Sequence, residues 1–117
     1  MSGEGKEALF TEDLYKRIEN TLLAMPEVSN LTQDGFQYLM QGIGQAFGLK
    51  GHRGLLIRHR KDGSIKVDLS LALFEGCQVN ETARYIQMVV KNIFSSVGLG
   101  PLGAIDVTIT DIIKKEG

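Results

Sequence analysis

From Ile65 to Leu73 every second residue is a branched aliphatic: Ile65, Val67, Leu69, Leu71, Leu73. Lys66, Asp68, Ser70 and Ala72 stand between them. A period of two dictates a strand with one buried face and one wetter face. Ahead of it, Leu55 to Arg60 leads into Lys61-Asp62-Gly63, so the two segments form a hairpin. The turn decides what is buried. A two-residue Asp62-Gly63 turn pairs Arg60 with Ile65 and Arg58 with Val67, which puts both arginines in the core. A three-residue loop with a left-handed Gly63 pairs His59 with Ile65, Ile57 with Val67 and Leu55 with Leu69. Burying two unpaired arginines costs far more than any difference between turn types. The three-residue loop is therefore expected, with Arg58, Arg60 and Lys66 sharing the outer face.

The flanking segments supply helices. Residues 1–7 read as a flexible tail, with nothing to bury. Thr11 is placed to cap a helix whose first turn holds Glu12 and Asp13, favoured at the positive helix end. Leu14, Ile18, Leu22 and Met25 recur at helical spacing, and Pro26 ends the helix at Met25. Val28–Leu31 is short enough to be a strand or a turn. In the glycine-rich stretch that follows, Phe36, Leu39, Met40, Ile43 and Phe47 form a helical stripe. Gly42 and Gly44 oppose it, each costing about 1 kcal/mol against Ala. Asn80 is expected to cap the second long helix. Its stripe runs Val79, Ala83, Ile86, Val90, Ile93, Val97, and Gly98 and Pro101 end it. Ile105, Val107 and Ile109 alternate with Asp106, Thr108 and Thr110 in a last strand.

The order is helix, weak strand, short helix, hairpin, helix, strand. That predicts an α+β domain, a three- to four-stranded sheet with two main helices on one face, in the order α-(β)-β-β-α-β. The chain's 117 residues amount to one domain, spanning residues 8–117. With 43% hydrophobic and 23% charged residues it is neither disordered, collagenous nor a coiled coil. A single cysteine, Cys77, excludes a disulfide framework and a cysteine-rich zinc site. No apolar h-region follows the start, and the uncharged run at residues 35–49 is too short and too polar to span a bilayer. A cytoplasmic protein is expected, one that can touch a membrane or a membrane protein, or associate with a membrane through a partner, without crossing the bilayer.

The run IKVDLSLALFEGCQVNETARYIQMVVKNIFSSVGLGPLGAIDVTITDI resembles the alkaline shock protein family of Gram-positive bacteria, an envelope stress response family. The pattern is an alternating strand, Gly76 at its end, a helix opening with the small polar Asn80, and a strand of alternating Val and Ile. FTEDLYKRIENTLLAMPEV sits where that family has a helix leading to a Gly-Val turn, here replaced by Pro26-Glu27-Val28. Residues 34–54 resemble the family's variable apolar insert, and the likeness covers roughly residues 9–112. It implies a small non-enzymatic cytoplasmic protein in cell-envelope homeostasis or stress, acting through self-association or a membrane-anchored partner. The family offers no agreed catalytic residues, and none are carried over. No cofactor is implied.

Charge is unevenly spread. Residues 50–66 carry six bases (Lys50, Arg53, Arg58, Arg60, Lys61, Lys66) against Asp62 alone, although the whole chain is at −1. Such a patch suits an acidic protein partner, anionic headgroups or phosphates; it also suits a plain solvated hairpin that protects a sheet edge. Candidate partner-binding residues are Arg53, Arg58, Arg60 and Lys66 on this hairpin, and Phe36, Met40 and Ile43 on the apolar stripe. The alternative is a nucleic-acid-binding module using the basic 50–66 hairpin. The Gly51–Gly54 GHRG loop resembles the backbone clamp of KH domains, but a strand follows it at once instead of a helix. Gly42, Gly44 and Gly48 make neither a dinucleotide fingerprint nor a P-loop. Cys77, His52 and His59 form neither a metal-ligand spacing nor a nucleophile with its base, so no enzymatic activity is expected.

Overall fold

A computed structural model describes residues 12–32, 54–99 and 101–116, with the side chain of His59 outside the described set. The tail, the Thr11 cap, the Phe36–Phe47 stripe, Arg53 and most of the GHRG loop lie outside the described residues. Among the described residues two helices and four strands run α1 (Glu12–Leu23), β1 (Val28–Leu31), β2 (Leu55–His59), β3 (Ile65–Phe74), α2 (Val79–Ser96) and β4 (Leu102–Ile113). This is the expected α+β domain, in the order α-β-β-β-α-β.

β3 is the centre of the sheet. On one edge it pairs antiparallel with β2 along its first half and with β1 along its second half. On the other edge it pairs with β4 in parallel. The parallel arrangement follows from the connection, since β3 returns to β4 through the α2 crossover. β1 and β2 thus lie end to end, and they meet at Ser70. Thr32 N–H donates to the Ser70 carbonyl (2.9 Å), and Ser70 N–H donates to the Gly54 carbonyl (2.9 Å). Thr32 and Gly54 thus sit at one point on the β3 edge.

The hairpin register is the one that keeps the arginines out of the core. Leu55 pairs with Leu69, Ile57 with Val67 and His59 with Ile65. Gly63 is left-handed at φ 91°. Asp62 braces the turn by accepting from Ser64 N–H (2.9 Å) and Ser64 Oγ–H (2.7 Å). The Ser64 bonds hold its carboxyl below the usual range.

The main core lies on one face of the sheet, but the face expected to be wetter is covered too, with Leu56 of β2 and Asp68, Ser70 and Ala72 of β3 all buried. Leu55, Ile57 and the odd-numbered residues of β3 from Ile65 to Leu73 pack with Leu14, Ile18 and Leu22 of α1 and Ile86, Val90 and Phe94 of α2. Tyr15 joins them, and burial pushes its phenol up to about 12.

Two helix ends depart from the sequence reading, as do the ends of the α2 stripe, while Gly98 ends α2 as expected. α1 stops at Leu23, because Met25 N–H bonds the Leu22 carbonyl and tightens the chain into a turn before Pro26. α2 starts at Val79 with Gln78 as its N-cap and no side-chain cap bond, so Asn80 is not the cap. The first helical bond, Thr82 N–H to Gln78 C=O, fixes that boundary. In α2, Thr82 and Phe94 are buried, while the end residues Val79 and Val97 are exposed. At the other end Gly98, at φ 74°, closes a Schellman motif: Leu99 N–H bonds Phe94 C=O and Gly98 N–H bonds Ser95 C=O. Leu99 folds back into the core.

Candidate interaction site

Arg58, Arg60 and Lys66 stay off the core, but the basic hairpin is not a bare cationic patch. Arg58 Nη2 donates to Asp68 Oδ2 at 2.8 Å. Lys66 Nζ lies 2.8 Å from Asp106 Oδ2 and 3.9 Å from Asp68 Oδ1. Asp68 is on β3 and Asp106 on β4, so two acids from beyond the basic segment sit beside two of its bases. Arg58 Nε is buried and has no acceptor among the described residues. Arg60 is exposed beside the turn. Further along the same face, Thr32 Oγ1 lies 2.9 Å from Ser70 Oγ and 2.7 Å from Thr110 Oγ1, a hydroxyl chain crossing β3 from one edge to the other. These contacts hold strands together.

Cys77 lines a cleft of about 560 Å³ at the end of the sheet, between the α1–β1 turn, the β3–α2 turn and Lys115. The thiol is free and half-buried, and Glu27, Glu75 and Glu81 line the same cleft. Among the described residues no group of three or more His, Cys, Asp or Glu side chains could hold a metal ion.

β4 is different in kind. It is 12 residues long and carries Leu102, Ile105, Val107, Ile109, Ile112 and Ile113, yet not one of its residues is fully buried. One of its edges is bonded to β3; among the described residues nothing pairs with the other. Its interior holds no Pro and no Lys, the residues that commonly blunt an exposed edge. The register irregularities fall between Ile65/Lys66 and Leu71/Ala72, so the stretch from Ala104 to Ile109 is regular.

The register also says which peptide groups are open. Ile65 N–H donates to Pro101 C=O, and Glu75 N–H to Ile113 C=O, so β3 turns its odd-numbered residues towards β4. In a parallel ladder paired this way, Ala104, Asp106 and Thr108 aim their peptide groups at β3. Ile105, Val107 and Ile109 then aim theirs outward. Gln87 Nε2 of α2 donates to the Ile105 carbonyl at 2.8 Å, as an open-edge acceptor allows. Beside this edge a groove of about 360 Å³ runs between Leu102, Gly103 and Ile105 of β4 and Gln87, Met88 and Lys91 of α2. Met88 is 50% exposed. The alternation of Ile105 to Ile109 marks a strand, but not that its edge is left open, because openness depends on which strand β4 joins.

No protein-family model matches the chain, nor does any curated protein or solved structure. Among the described residues no helix is long and apolar enough to cross a membrane.

Proposed function

We propose that this chain is a non-catalytic interaction module that works by strand addition at the open edge of β4. The observation that carries this reading is a 12-residue strand rich in Ile and Val with no fully buried residue and, among the described residues, one unpaired edge. Main-chain groups on such an edge give affinity, and the side chains beside it give selectivity. The groove along Gln87, Met88 and Lys91 extends that surface onto α2.

The setting comes from the resemblance of residues 9–112 to the alkaline shock proteins. It supports a cytoplasmic scaffold role in cell-envelope homeostasis or stress, through self-association or a membrane-anchored partner. The nucleic-acid reading of the hairpin loses ground, because Asp68 and Asp106 sit within ion-pair distance of Arg58 and Lys66.

The test is affinity capture from native lysate, with and without nuclease. The bait is the tagged chain, its Val107→Pro variant, or an Arg60→Glu/Lys61→Glu variant. Proteins captured by the wild type, untagged copies of the chain included, are expected to be lost with Val107→Pro. They should survive nuclease and the charge reversal. A set retained by Val107→Pro, or lost to nuclease and to the charge reversal, overturns the reading.

A further inference from the structure

Resting on that reading, we infer that the partner at the β4 edge is a second copy of this chain, paired β4 to β4 in antiparallel about a two-fold axis at Val107.

The outward residues are symmetric about that point. Antiparallel pairing centred on Val107 sets Val107 against Val107 of the other copy, and Ile105 against Ile109. All three outward residues of each strand then face the partner's main chain, with the Ile105 carbonyl shared between Gln87 of its own chain and the Ile109 N–H of the other copy. Centring on Thr108 instead would leave Ile105 opposite Asp111, and fewer outward groups would be met.

Side chains agree with the same register. Ile105, Val107 and Ile109 lie on the core side of β4, packed against the cluster but only half-buried. Across the seam they meet only one another, and β-branched cross-strand pairs favour such contacts. On the opposite face Asp106 falls opposite Thr108, never another aspartate. Asp106 is also within ion-pair distance of its own chain's Lys66.

The ends of the strand add charge complementarity. α2 has no basic residue in its last turn. In the Val107-centred register the Lys114 end of one β4 comes beside the Leu102 start of the other, the strand into which α2 leads. A cation there complements the negative end of the helix. The perpendicular two-fold also keeps both helix layers on one side of the joined sheet, so Met88 of each copy turns towards the seam. Isologous two-fold pairing of this kind is the commonest form of homo-oligomer.

The experiment uses the full chain in three readouts. Sedimentation equilibrium over a wide concentration range is expected to give a dimer. Val107→Pro is expected to weaken it about tenfold or more, with an unchanged circular dichroism spectrum, because proline is tolerated where a strand's N–H faces outward. In a mixture of 13C-labelled and unlabelled chains, isotope-filtered spectra should show contacts from Ile105 to Ile109. Within one strand those residues lie about 13 Å apart, too far for such a contact. A chain that stays monomeric at every concentration overturns the second-copy inference. If Val107→Pro then still abolishes capture of another protein, the edge remains the working surface and only its occupant was misassigned. A dimer that survives Val107→Pro and lacks the Ile105–Ile109 contact overturns the inference as well.

Discussion

Gly54 has the tightest surroundings of the glycines described. Its φ is +73°, and a Cβ built on it would sit 2.5 Å from Ser70 O, 2.7 Å from Thr32 O and 2.9 Å from Leu31 Cβ. Two of those atoms are backbone, so nothing flexible can give way. Gly54→Ala should destabilise the fold by about 3 kcal/mol or more, combining left-handed strain with overpacking. Gly63 has a similar φ of +91° but open space around it, so Gly63→Ala should cost only about 1 kcal/mol. Chemical denaturation of the two variants measures the contrast, and equal costs would contradict the account of how β1 and β2 meet. Tyr15 offers a second residue-scale test. Burial raises its pKa from 10.0 to about 12, outweighing the lowering by the Ile57 backbone hydrogen bond. A group whose folded pKa is raised contributes stability that is whole below the unfolded pKa and lost as pH climbs towards the folded one. Stability should therefore fall between pH 10 and pH 12. The Tyr15→Phe variant should lose much of that slope in pH-dependent melts.

At the scale of elements, β4 makes two claims that one pair of substitutions separates. Thr108 aims its N–H at β3, whereas Val107 aims its N–H outward. Thr108→Pro should remove a ladder bond and cost about 3 kcal/mol or more, while Val107→Pro should leave the fold standing. Equal thermal stability in the two variants would mean that the orientation of β4 is misread. Elements also differ in how much of them the sequence discloses. The β2–β3 register was legible because the wrong turn would bury Arg58 and Arg60, a cost visible locally. The far end of β4 was not. Alternation runs cleanly from Ile105 to Thr110 and then breaks at Asp111-Ile112. The ladder absorbs that phase change in a bulge between Leu71/Ala72 and their partners, so the strand continues to Ile113. Similarly, the Asn80 cap failed because the first hydrogen bond of α2 starts at Gln78, two residues earlier.

Across the whole molecule, what the sequence could not disclose is what distant residues do to one another. Six bases in residues 50–66 read as a cationic patch until β3 and β4 bring Asp68 and Asp106 beside Arg58 and Lys66. Val28–Leu31 was ambiguous alone, since its strand state depends on Leu71–Leu73, some 40 positions on. The same topology makes β3 the protected centre and leaves β4 with one edge bare among the described residues. Amide hydrogen exchange, read by NMR on diluted and concentrated chain, tests that consequence most directly. In the diluted chain Asp106 and Thr108 N–H should exchange slowly and Ile105, Val107 and Ile109 N–H quickly. On concentration the three outward amides should become at least about tenfold slower as the second copy covers them. If Val107 N–H exchanges equally fast at every concentration, or is already slow in the diluted monomer, the β4 edge is not where this protein pairs with itself.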